Sequence, residues 1–302
     1  MGRPAGDAGA GRRQSGDGAP TPTPAPAPPA RPEGAGWPAR LRRALGVLRA
    51  FWAANLAEEL EYRANFLASL FATIFWLGMA VLTAAVFFRQ TEELGGWGFW
   101  EVVALLGVFN AIGGIVDAVL RPNIGRIVDL VRRGTLDLIL SKPVDAQFHV
   151  SFRRLVVWRL ADVAFGLALS VFALTRIDRA PGVDAVVAFL LTLAAAFAIV
   201  YALWLGLMSF AFWFVDVENL GILFDALYEA GRFPVSAYPA PIRFVLVYLV
   251  PIAWITTVPA ATLTGRGGWA TSLAAAFVAV AALVLSRLLW RAALRRYTSA
   301  GG

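Results

Sequence analysis

Between two long apolar runs lies VRRGTLDLILSKPVDAQFHVSFRR, Val131–Arg154. It holds the chain's only lysine, Lys142, its only histidine, His149, and the arginines Arg132, Arg133, Arg153 and Arg154. The runs on either side decide the fold. Trp100–Leu120 before it and Leu155–Leu174 after it carry few charges. At about 1.5 Å per helical residue each covers the ~30 Å hydrocarbon core of a bilayer. A basic, partly amphipathic loop slung between two membrane spans either only sets topology or is a handle that another protein grips.

Working outward, Phe66–Phe88, Val186–Phe214 and Trp269–Trp290 are further spans. The chain is 59% hydrophobic, where a soluble domain runs nearer about 45–50%. The apolar runs are continuous rather than alternating, which favours helices over barrel strands. Residues 216–265 admit two readings. In one, Asn219–Tyr238 is a loop and Pro241–Leu263, broken by Pro251 and Pro259, is a full span. In the other, the first stretch is a polar span and the second a re-entrant hairpin. Both give six crossings, so the fold class is an all-α integral membrane protein with six transmembrane helices.

Residues 1–36 are rich in Gly, Ala and Pro and cannot bury a core, which predicts a disordered tail. Arg12 and Arg13 are followed by prolines instead of an apolar run, so no twin-arginine or cleavable signal is expected. Residues 37–65 place Leu41, Leu45, Leu48, Trp52 and Leu56 at helical spacing among arginines. This fits an amphipathic helix lying on membrane lipid, or one packed on protein. The transmembrane domain then occupies 66–300. The net charge of +7 is explained by arginines flanking spans, not by nucleic acid. They gather on the N-terminal flank, the 121–154 loop and the C-terminal flank, which puts both termini and the loop in the cytoplasm of a multi-pass cell-membrane protein.

Small residues recur at Gly107/Ala111, Gly114/Ala118 and Ala194/Ala198/Ala202/Gly206, marking close helix approach, within the chain or against a partner. Ionisable groups at membrane depth are costly and face a partner or a cavity. Asp117 lies near the inner end of the second span. Arg159 and Asp162 are three residues apart, as are Glu229 and Arg232, with Asp225 one turn earlier. These are satisfied pairs near the interface or the polar lining of a translocation path. No phosphate-binding loop is present, since Lys142 follows no glycine-rich turn. No catalytic or metal-binding constellation is present either. His149 alone builds neither, and reads as an interfacial surface residue.

The stretch Arg133-Gly134-Thr135-Leu136-Asp137-Leu138-Ile139-Leu140-Ser141-Lys142-Pro143-Val144 resembles the motif after the second span of ABC-2 type permeases, the membrane subunits of ATP-driven exporters. Tyr238–Phe244, with Pro251 and Pro259, is similar to the stretch before that family's last span. Glu61–Phe66, Val217-Glu218-Asn219 and Arg295–Ala300 resemble one bacterial branch of it, often carried as a domain of unknown function. The resemblance covers about residues 40–300. It implies a fifth span at about Asn219–Val235 followed by an external re-entrant hairpin at 241–263. The external segment is short, so no large external binding domain is implied.

The resemblance also implies a separate ABC ATPase subunit on the cytoplasmic side and a second permease, as homodimer or heterodimer. This chain would need no cofactor, the ATP being bound by the partner ATPase. Val131, Arg132, Arg133, Gly134, Thr135, Leu136, Asp137 and Leu140 form the expected coupling helix, with Ile127, Val128, Leu130 and Val131 offering an apolar face to a groove in the ATPase. Sparse charge favours an apolar or amphipathic cargo. The competing readings are an ATP-independent transporter or channel, which should show internal repeats, and a non-catalytic assembly scaffold.

Overall fold

The computed structural model describes residues 63–142, 145–177, 182–214 and 218–297, together with positions 46, 48, 49 and 52. The tail at 1–36 and most of the 37–65 helix lie outside the described residues. Among the described residues the architecture is helical, without β-strands.

Among the described residues, five helices are long and apolar enough to cross a membrane. We number the helices in chain order. The spans are α1 (Arg63–Phe87), α2 (Phe99–Arg132), α5 (Leu160–Leu174), α6 (Val183–Ser209) and α10 (Trp269–Arg296). Short helices α3 (Asp137–Leu140) and α4 (Ala146–Phe152) follow α2, and α7 (Glu218–Glu229) follows α6. The helices α8 (Ala240–Leu249) and α9 (Ile252–Leu263) form a pair bent by 67°, which brings the number of crossings to six if the pair is one span. The multi-pass, all-helical expectation is met.

The centre of the bundle is α2. Its most apolar window is 72% buried, against 11% for α1, so α1 stands at the edge. Phe71, Phe75, Trp76 and Leu82 of α1 are exposed, as lipid-facing side chains are in a chain with no aqueous reason to hide them. Packing of α2 on α5 relies on missing side chains. A Cβ on Gly166 would lie 2.5 Å from the Ala111 nitrogen, and one on Gly107 2.4 Å from the Gly166 carbonyl oxygen. The Ser170 hydroxyl bonds the Ala104 carbonyl across this contact at 3.0 Å. The small-residue rows of α2 therefore serve internal packing. On α6, Gly206 faces Leu289 of α10 and Ala202 is buried, while Ala194 is exposed.

The second span runs past Leu120 to Arg132. Val116–Leu120 form a π-helical turn and Ile124–Arg126 a 3₁₀ turn, with Pro122 between them. The π turn removes the ordinary i→i−4 bonding that proline would break, so the helix continues where the Arg121-Pro122-Asn123 sequence reads as a stop.

At the other end of α2, Leu94-Gly95-Gly96-Trp97 makes a tight turn with φ of +60° and +83° at the two glycines. This turn anchors the 236–266 stretch at both ends. The Ser236 hydroxyl donates to the Gly95 carbonyl at 2.7 Å, and Arg266 reaches the Gly96 carbonyl and Glu101, each at 2.6 Å. Between those anchors, α9 packs on α6, with the Thr192 and Thr262 hydroxyls 2.9 Å apart. The α7 stretch expected as a fifth span is a twelve-residue helix ending at Glu229, followed by a 3₁₀ turn over Ala230–Arg232. It is too short to count as a crossing helix by itself.

Candidate functional site

Five of the six charged residues expected at membrane depth meet in one place. Asp117, Arg159, Asp162, Asp225 and Glu229 line a cavity of about 490 Å³ between α1, α2, the start of α5, and α7. Thr73 and Trp76 of α1, Asn110 and Gly113 of α2, and Phe224 and Tyr228 of α7 complete much of its wall. A volume in the range of about 300–1,000 Å³ suits a small organic ligand.

The hub is Arg121, which sequence reading assigned only to the flanking positive charge. Arg121 caps the π turn, and Asp117 lies four residues before it within that turn. Its Nε donates to Asp117 Oδ1 at 2.9 Å, and Nη1 and Nη2 donate to Asp225 Oδ2 and Oδ1 at 3.0 and 3.1 Å. This two-pronged geometry is what a planar guanidinium offers a carboxylate. The Arg121 guanidinium also stands 5.6 Å from the centre of the Trp204 ring. No periodicity links Arg121 to Asp225, so only the fold reveals the pair.

A second group forms at the start of α5. Arg159 Nη1 lies 3.3 Å from Asp162 Oδ2 and 3.8 Å from Asp117 Oδ2. Asp162 is largely buried, as a carboxylate can be only when paired. Its other oxygen accepts from the Thr73 hydroxyl, and its backbone carbonyl accepts from Asn110 Nδ2 at 2.7 Å. Gly114 permits this approach, because a Cβ there would lie 2.9 Å from that of Asp162.

On α7, the Tyr228 hydroxyl donates to the Phe109 carbonyl at 2.9 Å and its ring stacks on Phe109 at 4.6 Å. Arg232 and Glu229 pair at 2.7 Å as their spacing predicts. Arg232 itself is not part of the wall and lies over the Phe109 ring at 5.6 Å.

The chain's match to known proteins gives this cavity its context. Residues 74–301 match the sequence pattern of the family described as ABC-2 family transporter protein. The chain belongs to that family. No curated protein and no solved structure matches it at comparable stringency. Permeases of this family are the membrane components of ABC transporters and generally work with an ABC ATPase. The charged cavity thus sits among the spans of a transporter's membrane subunit.

The other expected site residues lie beyond the end of α2. They do not form one helix in this permease. Val131 and Arg132 end α2, Gly134 turns the chain with φ +62°, and only Asp137–Leu140 are helical again. The Thr135 N–H bonds the Leu130 carbonyl at 3.0 Å, closing the turn. The apolar face expected to be offered outward is used internally: Ile127 and Val128 are buried, and Leu130 and Val131 pack against the same core, as does the buried Leu136 of the coupling segment. Arg132, Arg133, Leu138 and Leu140 are the exposed residues of the segment, Leu138 at 68%. Asp137 is within electrostatic reach of Tyr297 at the end of α10.

His149 is buried, not a surface residue. It sits on the inner side of α4, where Asp145 caps the helix by accepting from the Phe148 N–H at 3.0 Å. Asp145 is also clamped by Arg287 of α10 at 2.7 Å. Burial works to raise the Asp145 pKa, but the Arg287 guanidinium and the Phe148 N–H outweigh it and hold the carboxyl below its ordinary value.

Proposed function

We propose that this chain is the permease half of an ATP-driven exporter and that the cavity around Arg121 receives the polar head of an amphipathic cargo. The observation that carries this reading is the cavity's composition. Four carboxylates, Asp117, Asp162, Asp225 and Glu229, face two guanidinium groups, Arg121 and Arg159. Even with Arg232 set against Glu229, carboxylates outnumber guanidinium groups. Ionisable groups at this depth mark a path or a partner, and the excess negative charge favours a cationic head. Phe109, Trp76 and Phe224 supply apolar wall for the rest of such a molecule.

The basic end of the bundle, with the Gly134 turn, is read as cytoplasmic on the charge bias. There Leu138 and Leu140, flanked by Arg132 and Arg133, form the contact for a separate ATPase. ATP-driven movement of that contact biases the spans between two openings, which requires the two states to differ in contact energy with the ATPase. The two anchors of the 236–266 stretch on the Gly95 turn support a hairpin that enters and leaves on the opposite side. Two copies of the permease, or this chain and a related one, enclose the path.

The test is ATP hydrolysis by the assembly in liposomes, titrated with an alkyl quaternary ammonium and with an alkyl sulfate of equal chain length. The ammonium compound should stimulate hydrolysis, and Asp162→Asn should weaken the preference. Equal response to both amphiphiles would contradict a cation-selective cavity.

A further inference from the structure

A second, much smaller cavity lies at the basic end of the bundle. It has a volume of about 50 Å³, and its walls include Asn123 and Arg126 of α2, Ile139 of α3, His149 of α4, and Arg153 and Arg154. Among its lining residues there is no carboxylate. Its size excludes a drug-sized ligand and suits a single small anion.

The backbone on one side of this cavity is fixed by buried hydrogen bonds. Asn123 is buried and holds the Arg154 backbone from both sides, donating Nδ2 to its carbonyl at 2.6 Å and accepting its N–H on Oδ1 at 2.7 Å. The Val156 N–H bonds the Ala118 carbonyl at 2.9 Å, fastening the same strand of chain to the π turn. These bonds fix the backbone around Arg154 just before the span that begins at Val157, and Arg153, Arg154 and Arg126 line the same cavity. Three exposed arginines lining one small cavity beside a buried imidazole, next to the start of an apolar span, offer the chemistry that recognises a phosphate oxyanion.

We propose that this cavity is a binding site for a phosphate group, placed at headgroup depth so that an anionic phospholipid supplies it. An acidic segment of a protein partner is the weaker alternative, because Arg153 and Arg154 immediately precede a span and Leu138 and Leu140 do not line the cavity. The site lies apart from the large cavity and does not depend on what that cavity carries.

His149 reports on the site directly, being the only histidine of the chain. Burial, then the charges of Lys142 and Arg153, hold its pKa below the ordinary imidazole value. The other positive groups facing the cavity are Arg126 and Arg154, and Asp145 begins the same helix and is engaged by Arg287. An anion seated among them offsets the positive field and favours the imidazolium, so its binding shifts the titration upward.

The experiment is a pH titration by NMR of the full chain, labelled at histidine, in neutral detergent. Short-chain phosphatidylglycerol, phosphatidylcholine of equal length and inorganic phosphate are added in turn at constant ionic strength. An upward shift with phosphatidylglycerol but not phosphatidylcholine supports the site and identifies lipid as its source. An equal shift with inorganic phosphate supports the site with a source in water. Arg126→Gln with Arg154→Gln, and the milder Arg126→Gln alone, should diminish the shift while thermal unfolding stays cooperative. Failure of every anion to move the resonance overturns the proposal, as does a shift that persists undiminished in both variants. A shift produced only by an added ATPase subunit also overturns it, since the cluster would then be a protein contact.

Discussion

Replacing Arg121 should cost the permease more than replacing the carboxylate it grips. Arg121 makes one hydrogen bond to Asp117 and two to Asp225. A hydrogen bond to a charged group contributes about 1.5–3 kcal/mol. The Arg121 and Asp225 side chains are 48% and 43% exposed to the cavity, so solvent screening reduces each contribution well below that. Asp225→Asn leaves Arg121 its Asp117 bond and an amide oxygen still able to accept, a loss of about 1 kcal/mol. Arg121→Gln leaves Asp117 and Asp225 facing the same space as uncompensated carboxylates, with Arg159 only at 3.8 Å from Asp117, a loss of about 2 kcal/mol. The double variant removes one of those carboxylates and should recover about 1 kcal/mol of the summed loss. Equilibrium unfolding in mixed micelles measures all three. Equal losses for the two single variants, or losses that add to within about 0.3 kcal/mol, would refute the hub assigned to Arg121.

Exchanging Glu229 and Arg232 for one another should restore part of what either alanine variant loses, because they pair at 2.7 Å. Their side chains are 55% and 39% exposed, so the recovery is under about 1 kcal/mol, read by the same unfolding assay; no recovery argues against direct pairing. Asp145 contributes pH-dependent stability. Its folded pKa is depressed, so the contribution is present above the ordinary carboxylate value and is lost as pH falls through the folded one. Asp145→Asn should remove that part of the acid loss, as thermal unfolding against pH would record; an unchanged profile speaks against the clamp. Lys142, the only lysine, is exposed, and a membrane-impermeant amine reagent should leave it unlabelled in intact cells and modify it in opened ones. Labelling in intact cells would invert the proposed orientation.

The spans were legible because continuous apolar runs of twenty residues permit little else. Their ends were less so. Arg121, Pro122 and Arg126 carry the ordinary signals of a helix leaving the membrane, yet π and 3₁₀ turns on either side of Pro122 carry the helix on to Arg132. The spacing of Arg159 with Asp162 and of Glu229 with Arg232 disclosed those pairs, since partners three apart share a helix face. It did not disclose that Asp117 and Asp225 converge on Arg121, because that depends on how α7 returns against α2. The Val131–Leu140 motif was visible, but its turn hinges on the positive φ of Gly134, and burial of Ile127, Val128 and Leu136 reverses which side faces out. A lone histidine carries no pattern, so the burial of His149 was unreadable.

On the proposed reading, this membrane subunit is driven through its exposed turn by an ATPase on another chain. Purifying the full chain from its own membrane and assaying ATP hydrolysis in the eluate tests this most directly. An ATPase carrying a phosphate-binding loop should co-elute, be lost when Leu138→Asp and Leu140→Asp are combined, and be retained when Leu246→Ala alters a distant buried position. Elution without ATP hydrolysis, or hydrolysis that persists after both exposed leucines are replaced, would contradict it.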